Sequence, residues 1–150
     1  MKPLLILLTG FGISLVVLKF INGIWQLPLA GCIGMSVMLV FTAIGHFAFS
    51  KGMEMMLPPT IPFKKAIIYI TGLIEMAAAI GLLLPSFWQL TGWLLVLFFI
   101  AILPANISAS VRNVNFQKAT LNGSGLTYLW FRIPLQLFFI AWVYWFAIRG

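Results

Sequence analysis

Five residues stand where an apolar chain would not be expected to carry them: His46, Glu75, Asn106, Arg132 and Gln136 fall inside, or at the ends of, long aliphatic and aromatic runs. A carboxyl and an imidazole can hold or pass a proton. A guanidinium presents a planar fork to an acidic or carbonyl oxygen, and two amides can donate and accept together. Such a set suits capture of a polar head or relay of a proton. It does not suit a metal, because one His and one buried carboxylate fall short of the three or four ligands a transition metal wants. Cys32 is the only thiol, so neither an internal disulfide nor a CxxC couple can form within the chain.

The elements that must position these residues are five apolar runs, about residues 4–20, 29–49, 66–84, 90–107 and 128–148. Each is near the roughly 17 to 25 residues a helix needs to cross a bilayer. None alternates like a barrel strand, and unpaired amides cannot be left in lipid, so the fold class is an all-α polytopic transmembrane helix bundle filling residues 1–150 as one membrane domain. Of the 150 residues 63% are apolar and 7% charged, which excludes a disordered chain, a disulfide-stapled secreted domain and an ordinary water-soluble globule. The net charge of +7 is scattered between the runs and makes no stripe along which a phosphate backbone could lie, so no nucleic-acid partner is expected.

Counting along the runs brings the polar residues together. Glu75 lies nine residues into the third run, about 14 Å deep at 1.5 Å per residue. Arg132 lies four residues into the fifth, about 6 Å deep, with Gln136 one turn further on the same face. His46 and Asn106 fall in the last turns of the second and fourth runs, and alternating helix direction puts all five in one half of the membrane. A lone charge in a spanning helix costs about 2.5 to 3.5 kcal/mol on insertion scales. Opposite charges on neighbouring helices offset that cost, so a Glu75–Arg132 pair is expected, extended by Gln136, His46 and Asn106. The plainer alternative is an ion pair that only orients helices.

Pro104 should open a carbonyl and kink the fourth helix, and Pro134 should do the same in the fifth or sit in its first turn. The segment 50–63, SKGMEMMLPPTIPF, reads as an interfacial flap, and Asn122-Gly123-Ser124-Gly125 as a turn or linker. Lys2 before an apolar run resembles a signal peptide, but no small-x-small cleavage site follows, so a retained helix is expected. Thr9, Gly10, Gly12 and Ser14 in that run point to close helix packing. The six Trp residues, mostly towards run ends, read as a headgroup-level belt. Lys2, Lys51, Lys64, Lys65, Arg112 and Lys118 fall on one side against Lys19 and Arg149 on the other. That bias puts the N-terminus and loops 50–65 and 108–126 in the cytoplasm of a multi-pass cell-membrane protein.

In combination, Gly45-His46-Phe47, the Met-rich segment ending Pro58-Pro59, Gly72-Leu73-Ile74-Glu75, Pro104-Ala105-Asn106-Ile107 and Arg132-Ile133-Pro134-Leu135-Gln136 resemble the DoxX-like family of small bacterial membrane proteins. The resemblance runs from about residue 29 to 147. It implies a four-helix core with one extra N-terminal helix, in a bacterial inner membrane, and it makes His46, Glu75, Asn106 and Arg132 look like signature positions. Some relatives are linked to thiosulfate and quinone oxidation, and this chain departs from any thiol-redox version, since Cys32 lies outside the signature.

Two functions follow as expectations. The first is an accessory or ligand-binding bundle with a polar intramembrane pocket for a lipid-like or quinone-like molecule. Arg132 would touch an acidic or carbonyl oxygen, Glu75 would hold Arg132 or a cation, and His46 and Asn106 would line the entrance. The second is the membrane subunit of an oxidoreductase complex of the thiosulfate/quinone type, with Glu75 or His46 handling protons and electrons arriving from a partner subunit. No cofactor ligand set is evident, and quinone is the one cofactor candidate. A transporter is a third option, without an inverted repeat to support it.

Overall fold

The computed structural model describes residues 2–150. Its elements in chain order are α1 (Lys2–Asn22), α2 (Leu27–Ala48), α3 (Ser50–Met56), α4 (Lys64–Leu83), a 3-10 turn (Pro85–Phe87), α5 (Trp88–Ala101), α6 (Leu103–Val111), α7 (Leu126–Val143) and a π-helical turn (Tyr144–Ile148). Five segments are long and apolar enough to cross a membrane: Lys2–Asn22, Leu27–Ala48, Lys64–Leu83, Pro85–Val111 and Leu126–Ile148. They correspond to the five apolar runs. Ile13, Leu73, Leu97 and Leu137 are among many large apolar side chains left on the outside. Lipid in place of water removes the cost of that exposure, which is compatible with a multi-pass membrane protein.

The helix α2 is the central post, packing against α1 on one side and α4 on the other. Backbone approach makes this possible. A Cβ at Gly34 would run into the backbone of Phe11, and one at Gly10 would press on Gly34, the small-residue contact expected for helices that lack a hydrophobic driving force in lipid. Gly12, also counted among the packing residues, has nothing near it. Of α1 only Leu7 is buried, so this helix lies on the outside of the bundle.

One end of the bundle, formed by the N-termini of α4 and α7 and the C-termini of α2 and α6, carries the two longer loops and is here termed the loop end. The other end is tightly closed. There Phe11, Trp142 and Phe146 pack edge-on or tilted at 4.7 to 5.6 Å between centroids, and Trp142 Nε1 donates to the Gly31 carbonyl at 3.0 Å. Trp142 is therefore core rather than belt, whereas Trp25, Trp93, Trp130 and Trp145 face outwards. The side chain at Gly31 is missing because the Phe146 ring fills its place.

Pro104 acts as its chemistry requires. The fourth span breaks between α5 and α6 at Ile102, whose amide turns back to the Phe98 and Ile100 carbonyls. Pro134 lies inside α7, well beyond its first turn, so the alternative of a first-turn proline is corrected. The flap is partly helical, because its prolines come only after α3. It is tied down by Arg112 at the end of α6, whose guanidinium donates to the carbonyls of Met55, Met56 and Leu57 at 2.6 to 3.0 Å. Gly52 lets the flap approach so closely that a Cβ would overlap the Phe116 carbonyl. The segment after α6 is itself ordered by reciprocal Asn115–Thr120 backbone bonds at 2.8 and 3.3 Å, and both loops fold over the same opening.

Candidate functional site

Beneath the two loops the helices splay around a cavity of about 690 Å³, a size typical of small-molecule sites. Its wall includes all five sequence-predicted residues, His46, Glu75, Asn106, Arg132 and Gln136, with Met38, Leu39, Phe98 and Phe139 among its apolar lining. The topological expectation of a common half is met. The pairing within it differs from the expected one.

The Glu75–Arg132 pair is corrected: Glu75 Oε1 lies 3.5 Å from His46 Nε2, and among the described residues no carboxylate is within salt-bridge distance of Arg132. Two physical features account for this. Helical side chains tilt towards the N-terminus of their own helix. Glu75 on α4 therefore reaches back towards the loop end and meets His46 at the close of α2, while Arg132 on α7 tilts towards the same end and gains no depth. Gly72 then removes the obstacle, because a Cβ there would fall within 2.9 Å of the His46 Cβ. The two helices close at that point.

The hydrogen-bond partners define the proton count. His46 Nδ1 lies 3.1 Å from the Ile68 carbonyl and 3.1 Å from Thr71 Oγ1. The Thr71 hydroxyl has acceptors of its own in the Ile67 and Ile68 carbonyls at 3.0 and 2.8 Å. A carbonyl can only accept, so Nδ1 is assigned as the donor from these partners. The Nε2–Oε1 contact then needs one further proton to be attractive, held as imidazolium with carboxylate or as imidazole with carboxylic acid. In either form the pair is neutral overall, which makes its burial tolerable. Glu75 is 5% exposed, and its second oxygen, Oε2, is the one buried side-chain nitrogen or oxygen atom among the described residues without a hydrogen-bond partner.

Asn106 and Gln136 are occupied with each other. Asn106 Nδ2 donates to Gln136 Oε1 at 3.2 Å, and Gln136 Nε2 donates to the Phe99 carbonyl, beside the break that Pro104 introduces. This pair ties α6, α7 and the end of α5 and forms a floor for the cavity. Arg132 is half-buried, and among the described residues it has neither a hydrogen-bond acceptor nor a counterion. Lys2, exposed at the start of α1, stands at the same wall. Among the described residues no group of three or more His, Cys, Asp or Glu is placed to hold a metal ion.

Sequence reasoning missed Thr71 and Arg112. Thr71 carried a weak signal, one helical turn before Glu75 on the same face. Arg112 carried another, a cation at a helix C-terminus, but the carbonyls it takes belong to a distant loop.

The family model described as Domain of unknown function (DUF8561) matches residues 35–147, and the chain belongs to that family. The match takes in His46, Glu75, Asn106, Arg132 and Gln136 and leaves α1 outside it. No curated protein and no solved structure matches the chain.

Proposed function

We propose that this protein is a ligand-binding, accessory membrane protein, a DoxX-like four-helix bundle with α1 as an added helix, whose loop-end cavity holds the polar head of a lipid-like or quinone-like molecule. On this reading it spans a bacterial inner membrane with its N-terminus and both loops on the cytoplasmic side. The observation that carries the reading is Glu75, a residue of the cavity wall whose buried Oε2 has no hydrogen-bond partner. Leaving such an atom unsatisfied costs about 1 to 3 kcal/mol, more for a charged group, and a ligand donor relieves that cost. Arg132 supplies the opposite function, donating to an acidic or carbonyl oxygen. His46 holds Glu75 in place, and the Asn106–Gln136 pair keeps the floor rigid.

The test is purification from native-like membranes followed by organic extraction and mass spectrometry. An amphiphile retained by the wild type and lost from Arg132→Ala and Glu75→Gln supports the reading. Equal retention by all three, or none by any, rejects it.

A second reading draws on the 3.5 Å contact between His46 and Glu75, two groups able to hold a proton. In the membrane subunit of a thiosulfate/quinone-type oxidoreductase, that pair would hand a proton to a quinone bound in the cavity as it is reduced to quinol, with the electrons arriving from a partner subunit. Quinone as the extracted molecule, with redox activity only in the presence of a partner, favours it.

A further inference from the structure

We infer that the molecule in the cavity is a single-chain lipid whose head combines an oxyanion with a hydroxyl, and that its chain leaves sideways into the bilayer through a fissure between α1 and α7. This rests on the cavity being a ligand site and specifies the class of ligand.

The fissure is a second cavity, of about 450 Å³, lined by apolar side chains including Leu4 and Leu8 from α1 and Trp130 and Pro134 from α7. It adjoins the first: Phe131 and Leu135 line both. The helix α1 packs along α2 and makes no extensive contact with α7, so the seam stays open towards the lipid. An apolar slot that lies between a polar chamber and the outer surface of a membrane helix bundle matches one part of an amphiphile, its hydrocarbon chain. One slot of this size takes one chain.

The head is chosen by charge. With one proton held in the Nε2–Oε1 contact the Glu75–His46 pair is neutral as a unit, and the other ionisable groups of the chamber wall are Arg132 and Lys2, both positive. A quinone would leave the half-buried Arg132 without a counterion. A phosphate or carboxylate supplies one, and the Arg132 fork can bind it through two parallel hydrogen bonds. Glu75 Oε2 needs a donor, which a hydroxyl on the same head provides. Phosphate-bearing monoacyl glycerol lipids carry all three parts: oxyanion, hydroxyl and one chain.

The experiment uses the full chain in lipid nanodiscs and an oleoyl lysophosphatidate whose chain carries a photoreactive diazirine. Labelled peptides are mapped by mass spectrometry, and labelling is competed with unlabelled oleoyl lysophosphatidate, oleate, monoolein or decylubiquinone. The expected label lies on residues 4–8 and 130–138. Lysophosphatidate should compete best, oleate (oxyanion without hydroxyl) several-fold less well, and monoolein and decylubiquinone at least tenfold less well. Arg132→Gln should weaken labelling at least tenfold. Leu4→Trp, which fills the fissure and leaves the polar chamber intact, should abolish label there. Monoolein or decylubiquinone competing as well as lysophosphatidate would overturn the head assignment and leave the cavity as a ligand site. Label spread along all outward helix faces, unaffected by Leu4→Trp, would overturn the fissure. Absence of competition by any amphiphile, with Glu75→Gln and Arg132→Ala also without effect on extracted lipid, would remove the ligand site itself.

Discussion

The two ends of this bundle are built from the same helices and solve opposite problems. At the closed end polar side chains reach carbonyl partners: Trp142 Nε1 the Gly31 carbonyl at 3.0 Å and Trp88 Nε1 the Leu82 carbonyl at 2.8 Å. Nearer the middle, Ser36 Oγ reaches the Ala79 carbonyl at 2.8 Å. Missing side chains at Gly31, Gly81 and Gly92 are replaced by Phe146, Thr91 and Ile148. At the loop end the fourth span breaks at Ile102, the loops roof a chamber, Glu75 Oε2 has no partner and Arg132 has no counterion among the described residues. Satisfied polar groups with close packing mark scaffold; unsatisfied groups beside space mark a place kept for something else.

Substitutions can break or sharpen this contrast. The largest loss of stability is expected at the closed end, where Gly31→Val would drive two methyls into the Phe146 ring and cost about 3 kcal/mol, read as a lowered unfolding midpoint in detergent. Next is Arg112→Gln, which strips the flap of its guanidinium bonds to three carbonyls and should cost about 2 kcal/mol. Its sign is protease cleavage within residues 50–63 while the spans stay intact. Ser36→Ala removes one satisfied hydrogen bond and should cost about 1 kcal/mol. The smallest effect on folding belongs to Arg132→Gln, within about 0.5 kcal/mol of wild type because no hydrogen bond or ion pair within the protein is lost, together with the tenfold or greater loss of bound amphiphile. An Arg132 variant that unfolds as readily as Gly31→Val would erase the distinction between the two ends.

Much of the scaffold was legible in the sequence, since runs of apolar residues as long as a bilayer is thick admit few structures. The break at Pro104 was legible too, because a missing amide hydrogen acts locally. Convergence of the five polar residues followed from depth counting. The identity of Glu75's partner did not, because depth counted along the axis ignores the tilt of helical side chains, and because the His46 contact depends on a close approach permitted by Gly72, a residue with no side chain to signal it. The expected Trp belt misplaced Trp142 for a related reason: its depth suits an interface, but the face it occupies points inwards. Arg112 and the flap could not be connected by any local rule, since more than fifty residues separate the guanidinium from the carbonyls it binds.

The most direct test of the central claim is an experimental structure of the protein in lipid, inspected beside Glu75. Non-protein density within hydrogen-bond reach of Glu75 Oε2, extending past Phe131 into the seam between α1 and α7, is the expected result. A chamber closed by its own side chains, with Oε2 hydrogen-bonded to a protein group, would contradict it.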